Sequence, residues 1–135
     1  MLVNPIYAEA GITGFESPAA EYQELSLKLD DLLIEHPSAT FIGRACGDSM
    51  REVGIFDGDL LICDREVEAR NLDVVVAFFN GAYCCKLLDR RRRLLLSANP
   101  QHSPVSIQEH DTFTIEGIVT KSIRLHRDSP MLKRW

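Results

Sequence analysis

The sequence predicts a mainly β fold of short antiparallel strands, with an extended N-terminal arm. Three observations lead there. Short β-prone runs recur along the chain, separated by Gly, Pro and Asn-Gly or Asp-Gly punctuation. One such pair, Asn80-Gly81, lies between two strongly β-prone segments, the clearest short-range signal of a hairpin. Helical periodicity is almost absent.

The elements follow in order. Residues 1–20 show little periodicity and contain Pro5, Gly11, Gly14 and Pro18, so they read as an extended arm. Leu25, Leu27 and Leu29 alternate with Ser26 and Lys28, a strand signal. Asp30 or Asp31 then caps a short helix, Leu32–His36, which Pro37 ends. The arm is assigned residues 1–28 and the domain residues 29–135. Thr40–Ala45 is a strand candidate. Leu60–Cys63 follows the turn Asp57-Gly58. Val74–Phe79 and Ala82–Leu88 flank Asn80-Gly81. Arg90–Arg93 forms an exposed turn before Leu94–Ser97. Asn99-Pro100 and Ser103-Pro104 mark a loop, and Thr112–Ile115 and Ile118–Leu125 close the pattern. Six to eight short strands with little helix make a mostly β domain. The tail, residues 126–135, shows no pattern.

Composition excludes several classes. The chain has 135 residues, 45% hydrophobic and 26% charged, a folded profile that can bury a core without staples. Its net charge of −5 argues against electrostatic wrapping of nucleic acid. No apolar run approaches the roughly 20 residues that span a bilayer. The N-terminus lacks a basic region and carries Glu9, so it does not read as a secretory signal. The expected location is the cytoplasm. The four cysteines, Cys46, Cys63, Cys84 and Cys85, include no CxxC pair. They read as reduced, mostly buried thiols, with vicinal Cys84 and Cys85 on opposite faces of a strand. No metal or cofactor is called for.

Two residues could carry chemistry. Ser49 lies in Cys46-Gly47-Asp48-Ser49-Met50, where the glycine permits a sharp turn that presents the hydroxyl beside free backbone N–H groups. Such triplets also occur as ordinary turns or helix caps. Lys86 sits inside the apolar run Tyr83–Leu88. If its face is covered, burial disfavours the charged amine, and a neutral amine can take the proton of a serine hydroxyl. If it faces outward, the lysine simply snorkels into water. His36, His102, His110 and His126 lie in polar or loop-like contexts, with no acidic partner at a telling spacing. Arg90–Arg93 reads as a contact for nucleic acid or an acidic partner, or as a solvated turn, and the acidic chain favours the turn.

Gly47-Asp48-Ser49-Met50 is followed by Gly54-Ile55-Phe56-Asp57-Gly58-Asp59-Leu60-Leu61. Together they resemble the LexA/UmuD family of self-cleaving Ser-Lys proteins. The resemblance is nearer to the UmuD branch. It includes Gly14–Tyr22, Leu32–Thr40 and Asn80–Leu87, and spans about Gly14 to Arg124. It implies a LexA/signal-peptidase-like β-fold, with Ser49 as nucleophile and Lys86 as general base. It further implies cleavage before a glycine of the arm, here the Thr13-Gly14 bond. The backbone amides of Asp48 and Ser49 are the natural oxyanion donors. The implied partners are a second copy of the chain, a RecA filament on single-stranded DNA, and a UmuC-type Y-family polymerase. The context is the SOS response and synthesis past lesions.

Two departures from the family pattern stand out. Thr13 replaces the usual alanine or cysteine, and its branched Cβ is stiffer there. Leu72-Asp73 replaces a Gly-Asp, and a leucine tolerates positive φ poorly, so that turn is expected to differ locally. The few residues before Gly14 leave no room for a helix-turn-helix domain, so sequence-specific DNA binding is not expected. A signal-peptidase-like enzyme acting on other proteins is disfavoured by the matching internal cleavage segment.

Overall fold

The computed structural model describes residues 28–132. The chain divides after Glu35. Of the first part, the described residues hold one helix, α1, Leu29–Leu33. This corrects the expected strand end at Leu29 and the expected helix over Leu32–His36. Leu29, Leu32 and Leu33 have helical spacing. Asp30 and Asp31 lie inside the first turn, where the helix dipole favours carboxylates, and neither caps it. Leu25 and Leu27 lie outside the described residues.

The second part begins at His36, whose backbone, with φ of −127° and ψ of 81°, stays out of the helical region that a following proline disfavours. Pro37–Ala39 is a 3-10 turn with proline at its start. Seven strands then build one sheet. They are β1 (Thr40–Arg44), β2 (Leu60–Asp64), β3 (Val74–Phe79), β4 (Ala82–Asp89), β5 (Leu94–Leu96), β6 (Val105–Ser106) and β7 (Phe113–Ile123). Their order is β1-β2-β7-β3-β4-β5-β6, and every pairing is antiparallel. The mainly β expectation therefore holds.

The Asn80-Gly81 hairpin forms with φ of 47° and 90°, the mirror-image geometry that matches strand twist. Asn80 also holds the neighbouring loop: its Nδ2 donates to Asp111 and its Oδ1 accepts from Thr112 N–H. Arg90–Arg93 is a turn whose charges are tied down locally. Arg90 donates to the Ala69 carbonyl, Arg92 to Asp89, and Arg93 to the Ile107 carbonyl.

Three expectations need correction. First, Thr112–Ile115 and Ile118–Leu125 form one strand, β7, and not two. Gly117 is a close approach: an added Cβ would sit 3.1 Å from the Phe41 ring and 3.3 Å from Cys63 Cβ. Glu116 and Thr120 are extra residues that the two partner strands skip, so β7 bulges without breaking. Second, Val105–Ser106, read as loop, adds a short strand against β5. Third, Leu72 adopts φ of 66°, the conformation it was expected to avoid. Its N–H donates to the Leu88 carbonyl and Asp73 Oδ2 accepts from Arg70 N–H, so the turn closes around a strained leucine.

Both faces of the sheet are covered. One cluster contains Met50, Ile55, Leu61, Cys63 and Val76; the other contains Val75, Ala77, Leu88, Leu95 and Ile118. This explains why Val74–Phe79 is apolar without alternation: successive residues serve different cores. Cys84 and Cys85 divide in the same way between the two, as expected for a strand. Cys63 is buried, both vicinal cysteines are half-buried, and Cys46 is exposed, so the expectation of mostly buried thiols holds in part. Burial pushes the Cys63 thiol up to about 11 and Cys85 up to about 12.

Candidate active site

Ser49 lies on the connection between β1 and β2. The strand ends at Arg44, and Ala45 is fixed by two bonds: its N–H donates to the Asp59 carbonyl and its carbonyl accepts from Gly58 N–H, each at 2.8 Å. Gly47 then takes φ of 95°, and its N–H donates to Asp57 Oδ1 at 2.7 Å. That reversal brings the chain to Asp48 and Ser49. The next residue, Met50, is buried in the core and anchors the turn. Arg51–Val53 forms a 3-10 turn that Gly54 ends with φ of 82°. Glu52 N–H donates to the Ala98 carbonyl at 2.9 Å.

The return of the loop is clamped. Asp59 is buried, and both its carboxylate oxygens bond the Arg124 guanidinium at 2.9 Å. Asp59 also accepts from Phe56 N–H, and Arg124 stacks 4.3 Å over the Phe56 ring while reaching the Gly54 carbonyl. The Arg124 bond, followed by that of Phe56, holds the Asp59 carboxyl below the usual range against the cost of burial.

Lys86 lies on β4 opposite Val75 of β3. It is half-buried, and its Nζ donates to Ser97 Oγ at 2.8 Å. Ser49 and Lys86, far apart in sequence, line one cleft of about 630 Å³. Its walls include Ile42, Gly43 and Arg44 of β1, Met50 beneath Ser49, Tyr83–Lys86 of β4, and Glu116 at the β7 bulge. Arg65 stacks 5.0 Å over Phe41 and lies 3.9 Å from Glu116 within the same lining. Among the described residues, the Ser49 N–H donates to no protein acceptor, while the Asp48 N–H turns toward its own carboxylate.

Two histidines acquire acidic partners that spacing did not reveal. His36 Nδ1 lies 2.6 Å from the buried Asp64 carboxylate, and His102 Nε2 lies 2.9 Å from Asp48. The His102 bond holds the Asp48 carboxyl below the usual range. Neither histidine lines the cleft. His110 is exposed, 3.6 Å from Asp111. Thr13 and Gly14 lie outside the described residues.

Sequence reasoning missed three neighbours of the site. Asn99, read as loop punctuation, is buried and donates from Nδ2 to the Asp48 carbonyl at 2.9 Å. His102 carries no local sign of its partner, Asp48. Ser97 reads from the sequence only as the end of a strand. A signal for Ser97 was available: Asp89 pairs with Leu94 and Leu87 with Leu96, so counting outward from the Arg90–Arg93 turn sets Ser97 opposite Lys86.

A family profile described as peptidase S24-like matches residues 5–120. The chain belongs to that family. It is a UmuD-like member. It is 37% identical over 126 residues to protein SamA of Salmonella typhimurium, covering 93% of this chain and 88% of that one. It is 36% identical over 124 residues to protein MucA of Escherichia coli, covering 90% and 85%. A LexA repressor of Alteromonas mediterranea is 38% identical over 109 residues, 78% of this chain and 52% of the repressor.

Proposed function

We propose that the chain is a self-cleaving Ser-Lys peptidase that removes its own N-terminal arm at Thr13-Gly14. The observation that carries this reading is the shared cleft of Ser49 and Lys86 in a chain of the peptidase S24-like family. Neutral Lys86 takes the Ser49 hydroxyl proton, and Oγ attacks the Thr13 carbonyl carbon. The Asp48 and Ser49 N–H groups receive the developing oxyanion. Lys86 returns the proton to the Gly14 nitrogen as the C–N bond breaks. Water then attacks the acyl-enzyme and frees Ser49. Residues 1–28 serve as the arm and 29–135 as the domain that cuts it.

In this reading cleavage belongs to the SOS response in the bacterial cytoplasm. A RecA filament on single-stranded DNA stimulates it. The processed form, a homodimer, joins a UmuC-type Y-family polymerase for error-prone translesion synthesis. The similarity to SamA and MucA along most of their length supports this assignment.

The test is a mass measurement after incubation with RecA, single-stranded DNA and a nucleotide cofactor. Wild type should lose a fragment matching residues 1–13, and Ser49→Ala should stay intact. The expected loss of rate is at least about 10⁴-fold. A wild-type chain that remains whole under these conditions and at alkaline pH would leave the protein as a non-catalytic polymerase-binding module. Cleavage by Ser49→Ala at the same bond would remove Ser49 from the mechanism.

A further inference from the structure

We infer that Ser97 is a positioning residue for Lys86, forming with Ala98 and Asn99 a strap that registers the base against the Ser49 loop. The inference rests on the proposed self-cleavage and names how the pair is held. Three consecutive residues carry it. Ser97 Oγ accepts from Lys86 Nζ at 2.8 Å. The Ala98 carbonyl accepts from Glu52 N–H, just beyond Ser49, at 2.9 Å. Asn99 Nδ2 donates to the carbonyl of Asp48, just before Ser49, at 2.9 Å. One short segment therefore touches the lysine on one side and the nucleophile turn on both flanks.

The chemistry of an amine explains the need. A lysine side chain has four rotatable bonds, and its terminal nitrogen can turn freely. Neutral Nζ has two N–H donors and one lone pair. Donating one hydrogen to Ser97 fixes rotation about Cε–Nζ and limits where the lone pair can point. The β4–β5 ladder supplies the placement, since the register of Leu87 with Leu96 carries Ser97 opposite Lys86. Ser97 itself is only half-buried, so it accepts the amine without a large desolvation cost.

The experiment follows self-cleavage of the full chain between about pH 7 and about pH 10, the range in which lysine amines titrate. Wild type, Ser97→Ala, Ser97→Cys, Ser97→Thr and Ser49→Ala are compared, with thermal melting of each. Ser97→Ala should be slowed about 10-fold to about 100-fold, the scale of a small misplacement of a reacting group. Ser97→Cys, nearly isosteric but a weak acceptor, should be slowed as well and guards against a folding defect in the alanine variant. Ser97→Thr keeps the hydroxyl and should recover most of the rate. The deficit of Ser97→Ala should persist at about pH 10, because direction is lost and not deprotonation. The other titratable or charged groups that line the cleft with Lys86 are Arg44 and Cys46 beside the Ser49 loop, Tyr83, Cys84 and Cys85 on β4, and Arg65 and Glu116; all are unchanged in these variants. If wild type cleaves and Ser97→Ala matches it, this inference fails alone. If alkaline pH restores Ser97→Ala fully, Ser97 tunes protonation and does not position. If Ser97→Ala is dead while Ser49→Ala cleaves, Ser97 is the nucleophile and the inference is overturned. If wild type is silent at every pH, the self-cleavage reading falls and takes this inference with it.

Discussion

Ser49 and Lys86 reach the same cleft by different means. Lys86 is carried by a strand whose ladders on both sides repeat the same positional information many times. Ser49 is carried by a loop held by single tethers: Asp57 to Gly47, Asn99 to Asp48, Ala98 to Glu52, and the Asp59–Arg124 clamp. A ladder tolerates the loss of one bond, whereas a tethered loop does not. The Ser49 side of the site is therefore the fragile side. Substitutions there should cost both activity and stability, while those on β4 should separate the two.

The largest effect tests the robust side. Lys86→Ala should slow self-cleavage by about 10²–10⁴-fold, the range of a general base, with a melting temperature close to wild type. A Lys86→Ala chain that melts much earlier would show that β4 is as vulnerable as the loop.

Asp59→Asn probes the clamp. Losing the charge on a buried, doubly bonded carboxylate should cost about 1.5–3 kcal/mol near neutral pH. The pH dependence has a definite sign. Arg124 lowers the folded-state value of Asp59, so its contribution is complete above the unfolded carboxylate range, about pH 4. It is lost as pH falls through the lower folded value. Asp64, bonded to His36, and Asp89, bonded to Arg92, are shifted the same way. Wild type should thus lose melting temperature steadily below about pH 4, and Asp59→Asn should lose less over the same interval. Parallel acid curves would rule out the clamp as a contributor.

Asn99→Ala should cost about 1–2 kcal/mol and slow cleavage well beyond what that loss of stability explains, because Asp48 is released beside Ser49. Unchanged cleavage in a destabilised Asn99→Ala would confine Asn99 to a structural role.

The smallest expected effect lies away from the site. Leu72 stands in a left-handed conformation at an exposed turn. Asparagine enters that region more readily than leucine. Leu72→Asn should raise stability by about 0.5–1 kcal/mol, on the scale of a relieved left-handed residue, and leave cleavage unaffected. Chemical denaturation reads the difference.

How much could be read in the sequence follows the same division. Strands β1 to β5 and the Asn80-Gly81 hairpin are local in origin, and their residues announce them within a few positions. The glycine before Ser49 likewise marks a turn that presents a hydroxyl. What escaped is long-range. The Asn99 bond to Asp48 and the Arg124 bond to Asp59 join positions that no local pattern connects. The join between Thr112–Ile115 and Ile118–Leu125 is hidden because the reason for Gly117, Phe41 pressing from another strand, is invisible along the chain. The helix near Leu29 is hidden for the opposite reason: strand and helix periodicities overlap within a few leucines.

The position of β7 has a consequence for synthesis on the ribosome. Strands β1 and β2 form one block that carries the Ser49 loop, and β3 to β6 form a second that carries Lys86. In the sheet, β7 lies between β2 and β3 and, among the described residues, is the strand that joins the blocks. It also follows the other six strands in chain order. A nascent chain stopped before Phe113 can pair each block within itself but has nothing to zip them together. The two halves of the cleft come into register only after Phe113–Ile123 has emerged, so strand order itself delays assembly of the site until both blocks and β7 are available.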